Sequence, residues 1–111
     1  MSRPDPAALA EAMNRLWVQF LPQIEERVSI LENAAAAIAA GSLSAELCHE
    51  ASSAAHKLAG TLGTFGLNEG TDLAREAESL FASPASAATT GNERTAALAA
   101  QLRTVVSSRG K

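Results

Sequence analysis

The chain has 111 residues and a formal net charge of −3 at neutral pH, which leaves room for one small domain. Hydrophobic residues make up 47%, but alanine alone accounts for 25 residues and aromatic residues for only 4%, so a thin core of closely packed helices is favoured over a thick one. A lone cysteine, Cys48, excludes an internal disulfide, the lack of any apolar run of about 20 residues excludes a membrane crossing, and nine scattered Lys and Arg against twelve acidic residues leave no nucleic-acid footprint.

The N-terminal stretch MSRPDPAALAEAM has no continuous apolar core of the secretory kind, so the cytoplasm is the expected compartment. Pro4 and Pro6 open a first helix through about Phe20, with Leu9, Met13, Leu16, Trp17 and Phe20 at helical spacing. Pro22 then punctuates the pattern and starts a second helix that runs to Gly41, its C-cap, with Ile24, Val28, Leu31, Ala35 and Ile38 as the apolar stripe. Ser42 or Ser44 caps a third helix, and Glu46 sits in its first turn, where the helix dipole favours negative charge. Gly66 closes that helix as a left-handed cap, and Phe65 beside it plugs the core. From Asn68, a candidate cap, a fourth helix carries Leu73, Ala77, Leu80 and Phe81 inward. The stretch ASPASAATTGN has loop composition, and a last helix from about Asn92 places Leu98, Leu102, Val105 and Val106 on one side. The expected fold is all-α: one domain over 1–111, an antiparallel up-and-down four-helix bundle with its core at about 20–107, plus a short additional N-terminal helix across one end.

The third helix carries the chemistry. At about 100° per residue, Leu47, Ala51, Ala54, Leu58 and Leu62 define its core side, and His56 lies roughly 150° away, toward water. Its surface neighbours on the same wheel, Ser52, Ser53, Ala59, Gly60 and Gly63, are all small, although exposed helix faces normally carry long polar side chains. A glycine inside a helix costs about 1 kcal/mol relative to alanine. Close approach of a partner to His56 explains such a clearing, so these five residues form the expected docking surface.

The pattern His56, Leu58, Gly60 and Gly66, followed by the LAREAESLF helix, resembles the histidine-containing phosphotransfer (HPt) domains of bacterial two-component phosphorelays, and the likeness extends from about Phe20 to Val106. That resemblance implies that His56 is phosphorylated and passes the group between a sensor histidine kinase and the aspartate of a response-regulator receiver domain. It implies no intrinsic cofactor, with Mg2+ expected on the partner receiver, and a carrier without kinase activity of its own. Many members of the family carry a lysine three residues after the histidine; here that position is Ala59, and the lysine is Lys57. Lys57 is therefore the candidate phosphate stabiliser, or a solvated surface lysine.

The residue type suits the role independently, because a neutral imidazole is nucleophilic near pH 7 and can carry a phosphoryl group on nitrogen. His49, one heptad earlier, also points outward, but chelating pairs on a helix sit four apart rather than seven, and Glu46 and Glu50 beside it repel phosphate. No metal site is expected. The competing reading is a helical adaptor that docks a partner through the glycine-bearing face without chemistry.

Overall fold

The computed structural model describes residues 5–85, 87 and 92–109. Among them are four helices and no strand: α1 (Pro6–Ala39), α2 (Ala45–Thr64), α3 (Asn68–Leu80) and α4 (Asn92–Arg109). Each packs on its chain neighbours, and α1 also packs on α4, which closes the four into a bundle. The short connections at 40–44 and 65–67 force α1, α2 and α3 to alternate in direction. No helix among the described residues is long and apolar enough to cross a membrane.

The helix ends follow local chemistry. Asp5 caps α1 by accepting from the Ala7 N–H at 3.2 Å, with Pro6 at the first helical position. Ser44, rather than Ser42, caps α2, its Oγ accepting from Leu47 N–H at 3.0 Å. Gly41 and Gly66 both take positive φ, +70° and +74°, one residue beyond the C-caps Ala40 and Phe65. In each turn the glycine N–H and the next N–H bond back to the helix: Gly41 to Ile38 and Ser42 to Ala37, Gly66 to Gly63 and Leu67 to Leu62. This paired arrangement satisfies carbonyls the helix end would otherwise leave open. Asn68 is not a cap; it is the first residue of α3, whose N-cap Leu67 offers no side-chain hydrogen bond.

One expectation is corrected at the N-terminus. Pro22 does not divide two helices, and among the described residues no separate N-terminal helix lies across the bundle; residues 6–39 form one helix of 34 residues with Pro22 inside it. The buried residues Trp17, Ile24, Val28, Leu31 and Ala35 are spaced 7, 4, 3 and 4 apart. One apolar seam thus crosses the proline unbroken, and its burial offsets the roughly 3 kcal/mol an interior proline costs. Pro22 and Val18, whose carbonyl loses its donor, are both exposed to water.

Trp17 marks the end of the bundle. Its ring meets half-buried Phe65 edge to face, with centroids 5.1 Å apart, and lies under the Arg109 guanidinium at 5.3 Å. Because Phe65 and Arg109 end α2 and α4, the residues of α1 before Trp17 project beyond the core. Of the apolar residues at helical spacing in this stretch, Trp17 is buried, whereas Leu9 and Leu16 are 55% and 41% exposed and Phe20 is exposed as well. In the expected loop, residues 86 and 88–91 lie outside the described residues, while Ala87 N–H donates to Ser83 O in a helical turn.

Two packing details fix α3 against its neighbours. Cys48 is buried and donates its thiol to Phe81 O at 3.2 Å, and burial pushes that thiol's pKa up. Gly70 is buried where a Cβ would stand 2.8 Å from Leu62 Cδ1 and 3.1 Å from Val105 Cγ1. Leu62 is fully buried and has little space in which to yield. Gly70→Ala should therefore destabilise the bundle by about 1 to 2 kcal/mol despite alanine's helix preference. A thermal melt checks this, and an unchanged or higher Tm would show that Leu62 repacks freely.

Candidate functional site

α2 is flanked by α1 on one side and α3 on the other, and the strip left facing solvent carries His49, His56, Gly60 and Gly63. The His56 side chain is 73% exposed, as its position on the wheel requires. Its Nδ1 lies 2.9 Å from Glu78 Oε2 on α3. An ionised carboxylate can only accept, so Nδ1 carries the hydrogen and donates, and the neutral ring presents its lone pair at Nε2. Nε2 has no protein partner among the described residues.

Glu78 escaped the reading of the sequence, yet a signal for it was there. The antiparallel turn at 65–67 reflects α2 onto α3: Gly63 meets Thr71, and the same reflection carries residue 56 onto residue 78.

The five small residues do not form one clearing. Gly60 is exposed, and a Cβ built there meets nothing within 4 Å, so the fold places no demand on its being glycine. Gly63 is exposed too, but its Cβ would lie 3.3 Å from Thr71 Oγ1, and that hydroxyl donates to Ala59 O at 3.1 Å. Gly63 therefore also serves the close α2–α3 contact. Ser52 and Ser53 are half-buried at the edges of the strip. Ala59 is a correction: it is 8% exposed and lies against α3, so it is not open to a partner. The wheel treated α2 as having one buried stripe, whereas Cys48, Ala55 and Ala59 bury a second flank.

Lys57 is exposed on the opposite side from Glu78 and lines a surface cleft of about 510 Å³ between α1 and α2, together with Arg27, Ser53 and His49. His49 shares that cleft with Glu26 and Glu50. The two histidines thus stand in different settings, one in a cleft lined by both acids and bases and one held by a single carboxylate on an open strip.

The described residues form an all-α bundle that displays an oriented imidazole, that of His56, on an exposed helix face. The model of the Hpt domain family matches residues 15–108. The chain belongs to that family, and with it to histidine phosphotransfer in two-component signalling. No curated protein and no solved structure matches the chain.

Proposed function

We propose that the chain is a phosphotransfer intermediate that carries a phosphoryl group on His56 Nε2 between a sensor histidine kinase and the aspartate of a response-regulator receiver domain. The observation that carries this reading is the hydrogen bond from His56 Nδ1 to Glu78, which leaves Nε2 as the nucleophilic nitrogen on a face open to a docking partner. In the charging step the Nε2 lone pair attacks phosphorus, an N–P bond forms, and the bond from phosphorus to the donor atom breaks, its electron pair leaving on that atom. The ring then carries positive charge, which the Glu78 carboxylate offsets through the Nδ1 hydrogen. Onward transfer reverses the roles, with the receiver carboxylate attacking phosphorus and Nε2 departing.

Such transfer rests on positioning and on neutralising the charge of the moving group. The receiver brings the acceptor carboxylate and Mg2+; this chain brings the imidazole, its orienting carboxylate and, from Lys57, a nearby cation. The test is to incubate the chain with a sensor kinase and ATP, or with a receiver charged by acetyl phosphate, and to look for acid-labile, base-stable label on His56. Binding of either partner with no such label would favour the adaptor reading instead.

Glu78 gives this proposal a sharper edge. Glu78→Ala frees Nδ1 and lets the hydrogen move to Nε2, so charging by phosphoramidate, a small donor needing no docking, should slow about tenfold, in line with loss of one hydrogen bond to a charged group. Wild-type charging rates in Glu78→Ala would mean that the carboxylate plays no part in the chemistry.

A further inference from the structure

Arg27, on α1, is the basic residue of the neighbouring helix that lines the same cleft as Lys57. It also lines a second cleft of about 270 Å³ with Thr61 and Thr64 of α2. Belonging to both places it beside the stretch of α2 from Lys57 to Thr61, the level of His56 and Gly60. Glu26 and Glu50 line the first cleft and not the second.

Arg27, like Arg15 and Arg75, is in no ion pair among the described residues. Arg94 forks onto Glu76, and Arg103 forks onto Glu32 and reaches Ser29 Oγ, so those guanidinium groups are engaged within the bundle. Lys57 is likewise in no ion pair among the described residues. Arg27 is half-buried and lines the cleft, with its planar fork engaged by no carboxylate among the described residues. Arg27 and Lys57 thus stand on the α1 side of His56, in a cleft that Glu26 and Glu50 also line, while the Glu78 carboxylate reaches the ring from α3.

We propose that Arg27 is a docking residue of the phosphotransfer surface, and that with Lys57 it engages the carboxylate-bearing face of the receiver domain as that domain closes on His56. This rests on the reading of His56 as the phosphoacceptor. Arg27 acts on the encounter and orientation of the partner, not on the reactivity of the imidazole, and that distinction makes it testable.

The experiment compares wild type, Arg27→Gln and Arg27→Lys, using a receiver domain that labels the wild-type chain in the presence of Mg2+ and acetyl phosphate, with phosphoramidate as the small donor. Arg27→Gln should raise the receiver concentration for half-maximal transfer about tenfold at low salt, with the maximal rate changed less than about twofold and the difference shrinking as NaCl is raised. Arg27→Lys should recover most of the loss. Phosphoramidate charging of His56 and the Tm should match wild type in both variants. Equal half-saturating concentrations in wild type and Arg27→Gln would overturn the proposal, as would a loss that ignores salt and tracks a lowered Tm. A wild-type chain that phosphoramidate cannot charge at all would instead overturn the phosphoacceptor reading, and this proposal with it.

Discussion

His56→Gln is expected to reduce phosphoryl uptake to background while leaving the helical circular dichroism and the Tm at wild-type values. Glutamine keeps a polar side chain of similar reach but has no nucleophilic nitrogen, because the amide lone pair is delocalised. The imidazole is 73% exposed and fills no part of the core, so its replacement opens no cavity. The bond it makes to Glu78 is at the surface, worth less than about 1 kcal/mol to the fold. His49→Gln should label as wild type, since no carboxylate orients the His49 ring among the described residues, whereas Nδ1 of His56 is held by Glu78. Mapping the label by mass spectrometry at neutral to alkaline pH checks both variants. Label retained in His56→Gln and lost in His49→Gln would reverse the assignment, and a collapse of helical signal in His56→Gln would show that the residue holds the fold.

What the sequence made legible is what short-range chemistry decides. Ser44, Gly41 and Gly66 mark helix ends because capping needs only residues within one turn of each other. The outward direction of His56 followed from the spacing of the alanines and leucines around it. Pro22 was misread for the opposite reason. Its local cost is real, but the outcome was set by whether Trp17 and Ile24 could share one seam, which is a question about packing along the whole helix. Ala59 shows a second limit: alanine suits a buried flank or an exposed one equally, and only the arrival of α3 decides between them. Glu78 and Arg27 depend on register between helices, and a one-turn slip of α3 or α1 would put other residues beside α2. The reactive group is thus written in local pattern, while the groups that orient it and steer its partner are written in the pairing of helices.

Gly60 carries the second large effect, and its two consequences have opposite signs. It lies inside α2 with no positive φ, and a Cβ there meets nothing within 4 Å, so Gly60→Ala should raise stability by up to about 1 kcal/mol. Gly60→Gln, also compatible with a helix, should melt no lower than wild type yet cut transfer from a charged receiver tenfold or more, because its side chain occupies the face across which the receiver carboxylate must reach Nε2. Phosphoramidate is small enough to pass, so charging by it should survive in Gly60→Gln. Gly63→Ala is the internal contrast: its Cβ presses to 3.3 Å on Thr71 Oγ1, which is held by its bond to Ala59 O, so crowding erodes the gain in helix propensity. Melts, receiver transfer rates and phosphoramidate charging rates on the same proteins separate access from packing. If Gly60→Ala is destabilised and Gly60→Gln transfers from the receiver as fast as wild type, then the bare backbone beside His56 serves the helix and not the partner.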